Sequence, residues 1–197
     1  MNGEMSGLMN WDRGSFEAMN KWFSSSFFDA LMPIISDFSI WAVPVGILWL
    51  WYVVRVGRRG RIIALCAFLV IAATDQLAAS VIKPYVQRQR PCNVIPATRL
   101  YLDGNWLTTD KYGLTTYKTS YSFPSNHAAN IAGQAFYWSY FYPHLAPAFI
   151  AGAAVVGWSR IYMGLHYPGD VLAGYLLGFL IALMVAYPLR VWVLPEE

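Results

Sequence analysis

The segment from Ser159 to Asp170 places an Arg, a His and an Asp within twelve residues, between two long apolar runs. Charged side chains next to hydrocarbon are unfavourable, so they mark a functional site by default. His166 could attack a phosphorus atom, and Asp170 could fix the tautomer of its ring and raise its nucleophilicity. The guanidinium of Arg160 could bind phosphate oxygens through paired hydrogen bonds. Asp170 could equally be no more than a favourable charge in the first turn of a helix that begins at Pro168.

Two other segments add groups that suit the same chemistry. Lys83 and Arg90 begin a long polar loop, although either one alone could be a head-group anchor at the end of a membrane span. The sequence Pro-Ser-Asn-His begins a predicted helix, with Ser125 as its N-cap. The free amides of Asn126 and His127 would then point towards an anion, and a bound phosphate would favour a protonated His127 as proton donor. Taken alone, this motif is also compatible with a plain helix cap.

The composition indicates an integral membrane protein. Hydrophobic residues make up 57% and charged residues 13% of the 197 residues, against about 45–50% and about 25% in soluble domains. The nine Trp, thirteen Tyr and eleven Phe suit the aromatic belts of a membrane protein. Cys66 lies in an apolar run and Cys92 in the polar loop, so we expect no disulfide between them. We expect a single membrane-embedded domain over residues 1–197.

The hydropathy pattern predicts an all-α integral membrane helix bundle, with about five transmembrane helices behind an N-terminal amphipathic helix. Residues 1–37 form the N-terminal interfacial helix region, in which residues 1–14 fray and a helix covers about 15–35. That helix could lie in the membrane interface or pack on the bundle. A polar extramembrane loop covers 83–123, a length that is uncommon without a function. The predicted spans cover about 38–56, 62–82, 125–142, 148–163 and 168–191.

Antiparallel spans would bring the three groups of candidate residues to one face of the membrane. Three cations beside two His suit phosphoryl transfer, in which catalysis is mostly positioning and charge stabilisation. A zinc site needs three or four converging ligands. It is disfavoured, because His144 lies in a turn at the opposite face and the Cys are scattered. Asp75, inside the second span, is either a buried hydrogen-bond partner, which we favour, or part of an ion path.

The three segments together resemble the signature motifs of the type-2 phosphatidic acid phosphatase superfamily, which also includes vanadium haloperoxidases and glucose-6-phosphatase. The likeness covers about residues 38–190. The motifs are Lys-x6-Arg-Pro from residue 83, Pro-Ser-Asn-His from residue 124 and Ser-Arg-x5-His-x3-Asp from residue 159. The second motif of the family usually reads Pro-Ser-Gly-His, so Asn126 is a departure that could change phosphate contacts or substrate choice.

The resemblance implies a metal-independent phosphatase that works through a phosphohistidine. It implies that His166 is the nucleophile, Asp170 its partner and His127 the general acid. The implied phosphate-binding residues, including backbone amides at 126 and 127, are Lys83, Arg90, Ser125, Asn126 and Arg160. We expect no metal or other cofactor and no nucleic-acid partner, and the oligomeric state stays open.

Small bacterial lipid phosphatases are the members that the chain resembles in size, and their lipid phosphates are the expected substrates. Undecaprenyl diphosphate ranks first, followed by phosphatidylglycerophosphate, phosphatidic acid and the 1-phosphate of lipid A. A lipid phosphotransferase and an anion transporter are the rival classes. The turn 55–61 carries four Arg in seven residues, which favours the cytoplasm. The site of a multi-pass cell (inner) membrane protein would then face the periplasm or exterior, although a count of all cations favours the opposite orientation.

Overall fold

The computed structural model describes residues 2–112 and 115–193, with side chains described from residue 9 onward. These residues are helical apart from one short hairpin and the connecting loops, which confirms the predicted helix bundle. The helices are α1 (Asn2–Glu17), α2 (Ser26–Ser36), α3 (Phe38–Arg55), α4 (Arg58–Gln76), α5 (Lys83–Val86), α6 (Pro91–Val94), α7 (Asn126–Phe141), α8 (Ala146–Tyr162) and α9 (Pro168–Pro188). The strands are β1 (Arg99–Leu102) and β2 (Asn105–Thr108). Wider π-helical turns extend α1 over Ala18–Trp22, α4 over Leu77–Ile82 and α9 over Leu189–Val193.

The membrane-spanning part is built from long apolar helices. Within the described residues, four helical stretches are long and apolar enough to cross a membrane. The predicted span at 125–142 corresponds to α7, which has 16 residues and is about 24 Å long at about 1.5 Å per residue. The five predicted spans therefore correspond to α7 and the four long stretches, which are Phe38–Arg55, Arg58–Val94, Pro143–Tyr162 and Pro168–Val193.

The centre of the bundle is the contact between α7 and α9. Most buried residues of α7 are small, namely Ala128, Ala129, Ala132, Gly133 and Ala135. Small residues let two helix backbones approach closely. Gly178 of α9 is so close that a Cβ atom there would lie 2.3 Å from the carbonyl oxygen of Ala129. The same packing aligns the starts of the two helices, where the backbone N–H of Ser125 donates to the carbonyl of Asp170 at 3.0 Å.

The N-terminal prediction is wrong in two respects. Residues 2–14, which we expected to fray, are helical and belong to α1, whose Phe16 is buried with its ring 5.6 Å from that of Tyr167. The predicted helix over 15–35 is interrupted before α2, where Ser25 has an extended backbone and caps that helix by accepting from the N–H of Phe28. Because α2 packs against α8, the N-terminal region is part of the bundle.

The predicted loop over 83–123 contains short helices and strands within its described length. It contains α5, α6 and the antiparallel hairpin of β1 and β2. The hairpin turns at Asp103 and Gly104, which both have positive φ angles (50° and 85°), as two-residue hairpin turns require. Arg99 pairs with Asp29 of α2 at 2.7 Å, so the hairpin is fixed to the N-terminal region. Both thiols of the chain are free, as expected.

The close approach of α7 and α9 predicts the effect of one added methyl group. Gly178→Ala should lower the free energy of unfolding by about 1–3 kcal/mol, because the new Cβ meets backbone atoms that cannot move aside easily. Thermal unfolding in detergent measures this change. Gly152→Ala is the control, since a Cβ there has no atom within 4 Å, and it should leave the unfolding midpoint unchanged or slightly higher because alanine favours the helix. Equal midpoints for both variants would contradict the close packing.

Candidate active site

His166 and Asp170 lie at the junction of α8 and α9, and both are buried. Nδ1 of His166 lies 3.6 Å from Oδ2 of Asp170, which is longer than a hydrogen bond. This nitrogen has no hydrogen-bond partner among the described residues. Oδ2 of Asp170 also accepts from the N–H of Tyr167 at 2.9 Å, so the carboxylate caps α9 and faces the imidazole at once.

Arg90 lies on the other side of the same imidazole. Its Nη1 is 3.0 Å from Nε2 of His166 and donates to the carbonyl of Leu165 at 2.9 Å. Its Nε donates to the carbonyl of Ser120 at 2.8 Å. A guanidinium can only donate hydrogen bonds, so Nε2 is the acceptor nitrogen and Nδ1 carries the ring proton. The lone pair of His166 therefore points towards Arg90, and the ring proton points towards Asp170.

The environment of His166 favours a neutral ring. Burial lowers its pKa to about 3; the nearby carboxylate of Asp170 opposes this shift, and the charges of Arg90 and Arg160 add to it. A ring with that pKa is uncharged at neutral pH and keeps the lone pair that nucleophilic attack requires.

Lys83 and Arg160 supply two further cations at this site. Nζ of Lys83 donates to the carbonyl of Tyr121 at 3.1 Å, and the side chain is only 9% exposed. Nη1 of Arg160 donates a short hydrogen bond to the hydroxyl of Ser36, while its Nε has no partner among the described residues. Both cations thus donate to neutral acceptors, which an anion would replace readily.

His127 lies at the start of α7 with an exposed ring. The charges of Arg160, Arg90 and Lys83 all interact electrostatically with this ring. Ser125 is the N-cap of α7, and its hydroxyl accepts from the N–H of Ala128 at 3.4 Å. The structure therefore brings the three sequence motifs together, as the topology of the spans predicted.

The side chain of Asn126 contacts α4. Its Nδ2 donates to Oδ1 of Asp75 at 2.8 Å, and its Oδ1 is buried without a partner among the described residues. One N–H of the side-chain amide is thus engaged by Asp75, and the backbone N–H of Asn126 stays a predicted phosphate donor. Asp75 is a hydrogen-bond partner, as favoured, but it is exposed and not buried. The expectation of a buried carboxylate is wrong: Asp75 contacts only the polar side chains of Asn126 and Asn130 at the edge of α7 among the described hydrogen bonds, and it stays exposed.

Several side chains around the site were not predicted from the sequence. Arg88 donates to Oδ1 of Asp170 at 2.7 Å, and Ser122 donates a short hydrogen bond to Oδ2. Asp12 of α1 accepts from Arg88 at 2.5 Å. The sequence offered one indication of Arg88, because it is a third cation in the stretch that holds Lys83 and Arg90. No pattern in the sequence indicated Asp12.

Comparisons with known proteins agree on one family. The family model described as the PAP2 superfamily matches residues 64–192. The chain is 34% identical over 122 residues to the lipid A 4'-phosphatase of Bacteroides thetaiotaomicron, a match that covers 59% of this chain and 51% of that protein. It is 31% identical over 155 residues to the undecaprenyl-diphosphatase of Sulfolobus acidocaldarius, with coverages of 76% and 65%. The chain thus matches less than two thirds of either relative's length.

A solved structure shares the fold. The crystal structure of a transmembrane PAP2-type phosphatidylglycerolphosphate phosphatase from Bacillus subtilis matches with a TM-score of 0.64. The match covers 91% of this chain and 84% of that one at 24% identity. At this identity the likeness shows the helix arrangement alone.

The protonation of His166 can be tested by NMR of protein carrying 15N-labelled histidine in detergent. The ring should stay neutral from pH 8 to pH 5, with its proton on Nδ1, because its pKa lies near 3 and acidification in this range does not reach it. A His166→Gln variant identifies the signal among the three His. A titration midpoint near the ordinary His value of about 6.5 would contradict the burial of this ring.

Proposed function

Because the chain belongs to the PAP2 superfamily, we propose that it removes phosphate from a membrane lipid phosphate or diphosphate through a phosphohistidine on His166. The observation that carries the proposal is the position of the imidazole, whose unprotonated Nε2 lies 3.0 Å from Arg90. A phosphate that binds the guanidinium is thereby brought beside the nucleophilic nitrogen. The protein is in this view a lipid phosphatase that needs no metal.

In the first step, Nε2 of His166 attacks the phosphorus atom as the bond to the leaving oxygen breaks. His127 gives that oxygen a proton, and the lipid departs as an alcohol, or as a monophosphate when the substrate is a diphosphate. In the second step, water attacks the phosphorus and passes a proton to His127. The phosphorus–nitrogen bond breaks, inorganic phosphate leaves, and the lone pair of Nε2 is restored.

The cations stabilise the charge that develops on the phosphoryl oxygens. Lys83, Arg90 and Arg160 are fixed by contacts with backbone carbonyls or a hydroxyl, so little reorganisation is needed when the transition state forms. Loss of a single arginine that contacts a transferring phosphoryl group can lower the rate by about 10³–10⁵-fold. The carboxylate of Asp170 faces the protonated Nδ1 of His166 at 3.6 Å and favours the tautomer that attacks.

Undecaprenyl diphosphate is the substrate that we rank first. The relative from Sulfolobus acidocaldarius that is named for this activity aligns with 76% of the chain. The alternatives are phosphatidylglycerophosphate, phosphatidic acid and the 1-phosphate of lipid A. A cavity of about 210 Å³ beside Arg160, lined also by Ser36, Tyr101 and Leu165, offers room for the part of the substrate next to the phosphate. The acyl or prenyl tail would lie against the apolar helices.

The site would face the periplasm or the exterior of a cell membrane. The basic turn around Arg58 and Arg59 lies between α3 and α4, at the end of α4 opposite to Lys83. Dense short basic turns stay in the cytoplasm, which supports this orientation.

Substitution of the nucleophile should abolish turnover. We expect His166→Ala to release no phosphate from detergent-solubilised lipid phosphate, with thermal unfolding close to wild type. His144→Ala is the matched control, since His144 is an exposed residue in the distant turn before α8, and it should keep full activity. Phosphate release by His166→Ala would contradict the mechanism.

Wild type that releases phosphate only when a lipid acceptor is added would indicate a phosphotransferase, and anion flux into liposomes that survives His166→Ala would indicate a transporter.

Chelation of metals should not affect the reaction. We expect equal rates with and without EDTA, because the phosphoryl oxygens are neutralised by Lys and Arg side chains. A panel of the four candidate lipids, assayed at equal surface concentration, should give the highest kcat/KM for undecaprenyl diphosphate. Loss of activity in EDTA would overturn the metal-free mechanism, and a higher kcat/KM for another lipid would overturn the ranking of substrates.

A further inference from the structure

Asp12 of α1 reaches the rear of the candidate active site. Its side chain is buried, although the rest of the first helix around it is largely exposed. Oδ1 accepts from the backbone N–H of Gly169 at 2.7 Å, and Oδ2 accepts from Nη2 of Arg88 at 2.5 Å. Both carboxylate oxygens of Asp12 are therefore bound by groups near His166. Gly169 is 157 residues from Asp12 along the chain.

Arg88 is fixed between two carboxylates and an aromatic ring. While Nη2 donates to Asp12, Nη1 donates to Oδ1 of Asp170 at 2.7 Å. The guanidinium also lies over the ring of Tyr167, with Cζ 3.9 Å from its centroid. A planar guanidinium with these three partners has one orientation. The contacts form a chain that runs from Asp12 through Arg88 and Asp170 to His166.

The two terminal nitrogens of Arg88 bind different carboxylates, so that Arg88 takes only Oδ1 of Asp170. Oδ2 is left to the hydroxyl of Ser122 and the N–H of Tyr167, and in this position it faces Nδ1 of His166 at 3.6 Å. Guanidinium and carboxylate groups prefer a bidentate pair when both nitrogens are available. Without Asp12, Nη2 of Arg88 would compete with Ser122 and the N–H of Tyr167 for Oδ2 of Asp170 and draw that oxygen away from the imidazole.

We propose that Asp12 is a positioning residue for phosphoryl transfer, which it serves by holding Arg88 to a single oxygen of Asp170. This inference rests on the proposed function, because it concerns the orientation of the proposed nucleophile. It also gives α1 a role in the reaction, although this helix lies far from the three motifs in the sequence.

Gly169 offers an independent way to displace Asp12. A Cβ atom at this position would lie 2.9 Å from Oδ2 and 3.2 Å from Cγ of Asp12. The Asp12 side chain can move aside, so the fold tolerates the extra methyl group, but the contact with Arg88 is strained. Gly169→Ala therefore disturbs Asp12 without removing a charge and without touching His166.

The experiment compares kcat, KM and the unfolding midpoint of full-length variants in detergent. Asp12→Asn should lower kcat by about tenfold and leave KM within about twofold, because a misplaced nucleophile weakens the transition state alone. Gly169→Ala should also lower kcat, with the unfolding midpoint of wild type. Asp12→Glu should have a kcat between those of Asp12→Asn and wild type. Glu17→Gln is the matched control: it breaks the exposed pair with Arg13 on the same helix and should change nothing.

A double substitution tests whether Asp12 acts through Arg88. The Asp12→Asn, Arg88→Gln protein should be no slower than Arg88→Gln alone, because the first change has no effect once Arg88 is gone. A double variant whose kcat falls by the product of the two single reductions would overturn the proposal. Full kcat in Asp12→Asn, or a loss of folded protein with unchanged kcat per folded molecule, would overturn it as well.

Binding of vanadate, a phosphoryl-transfer analogue, separates this proposal from the proposed function. If wild type hydrolyses none of the lipid phosphates but binds vanadate, the proposed function fails and the role of Asp12 is still measurable. Vanadate affinity should then fall by about tenfold in Asp12→Asn and stay unchanged in Glu17→Gln. Equal vanadate affinity in wild type and Asp12→Asn would overturn the positioning role.

Discussion

A neutral imidazole buried between a guanidinium and a carboxylate is the interaction on which the rest of this site depends. Nη1 of Arg90 lies 3.0 Å from Nε2 of His166, and Oδ2 of Asp170 lies 3.6 Å from Nδ1. Because a guanidinium only donates, it selects the tautomer whose lone pair faces the cations. The carboxylate favours the same tautomer from the opposite side. Burial keeps the ring uncharged, so that the positive charge stays on the Lys and Arg side chains that would meet a phosphate.

The helix bundle holds these groups in place through close backbone contacts. Gly178 and the small residues of α7 let α7 and α9 approach until the N–H of Ser125 donates to the carbonyl of Asp170. The start of α7, which carries His127, is thus fixed against the start of α9, which carries Asp170. The 83–123 segment adds the cations from the other side, because Arg90 donates to backbone carbonyls at both Ser120 and Leu165. The starts of α7 and α9 are therefore joined by a backbone hydrogen bond, and the 83–123 segment is joined to the junction of α8 and α9 by the guanidinium of Arg90.

The convergence of the three motifs could be predicted from the sequence because their groups occur in short motifs at the ends of apolar runs. Spacing alone indicated that His166 and Asp170 share one helix start, and the order of the spans indicated that Arg90 would meet them. The contacts of Asp12 could not be predicted in this way, since its partner Gly169 is 157 residues away and no local motif links the two residues. The hairpin carried a recognisable Asp-Gly turn signal at residue 103, but its attachment to Asp29 depends on tertiary contacts.

The covalent intermediate is the most direct measure of the proposed chemistry. Wild-type protein can be mixed with undecaprenyl diphosphate labelled with 32P, quenched in alkali during turnover and digested for mass spectrometry. We expect an alkali-stable, acid-labile phosphoryl group on the imidazole of His166. A label on any other residue, or rapid turnover without a covalent label on the protein, would contradict attack by this ring.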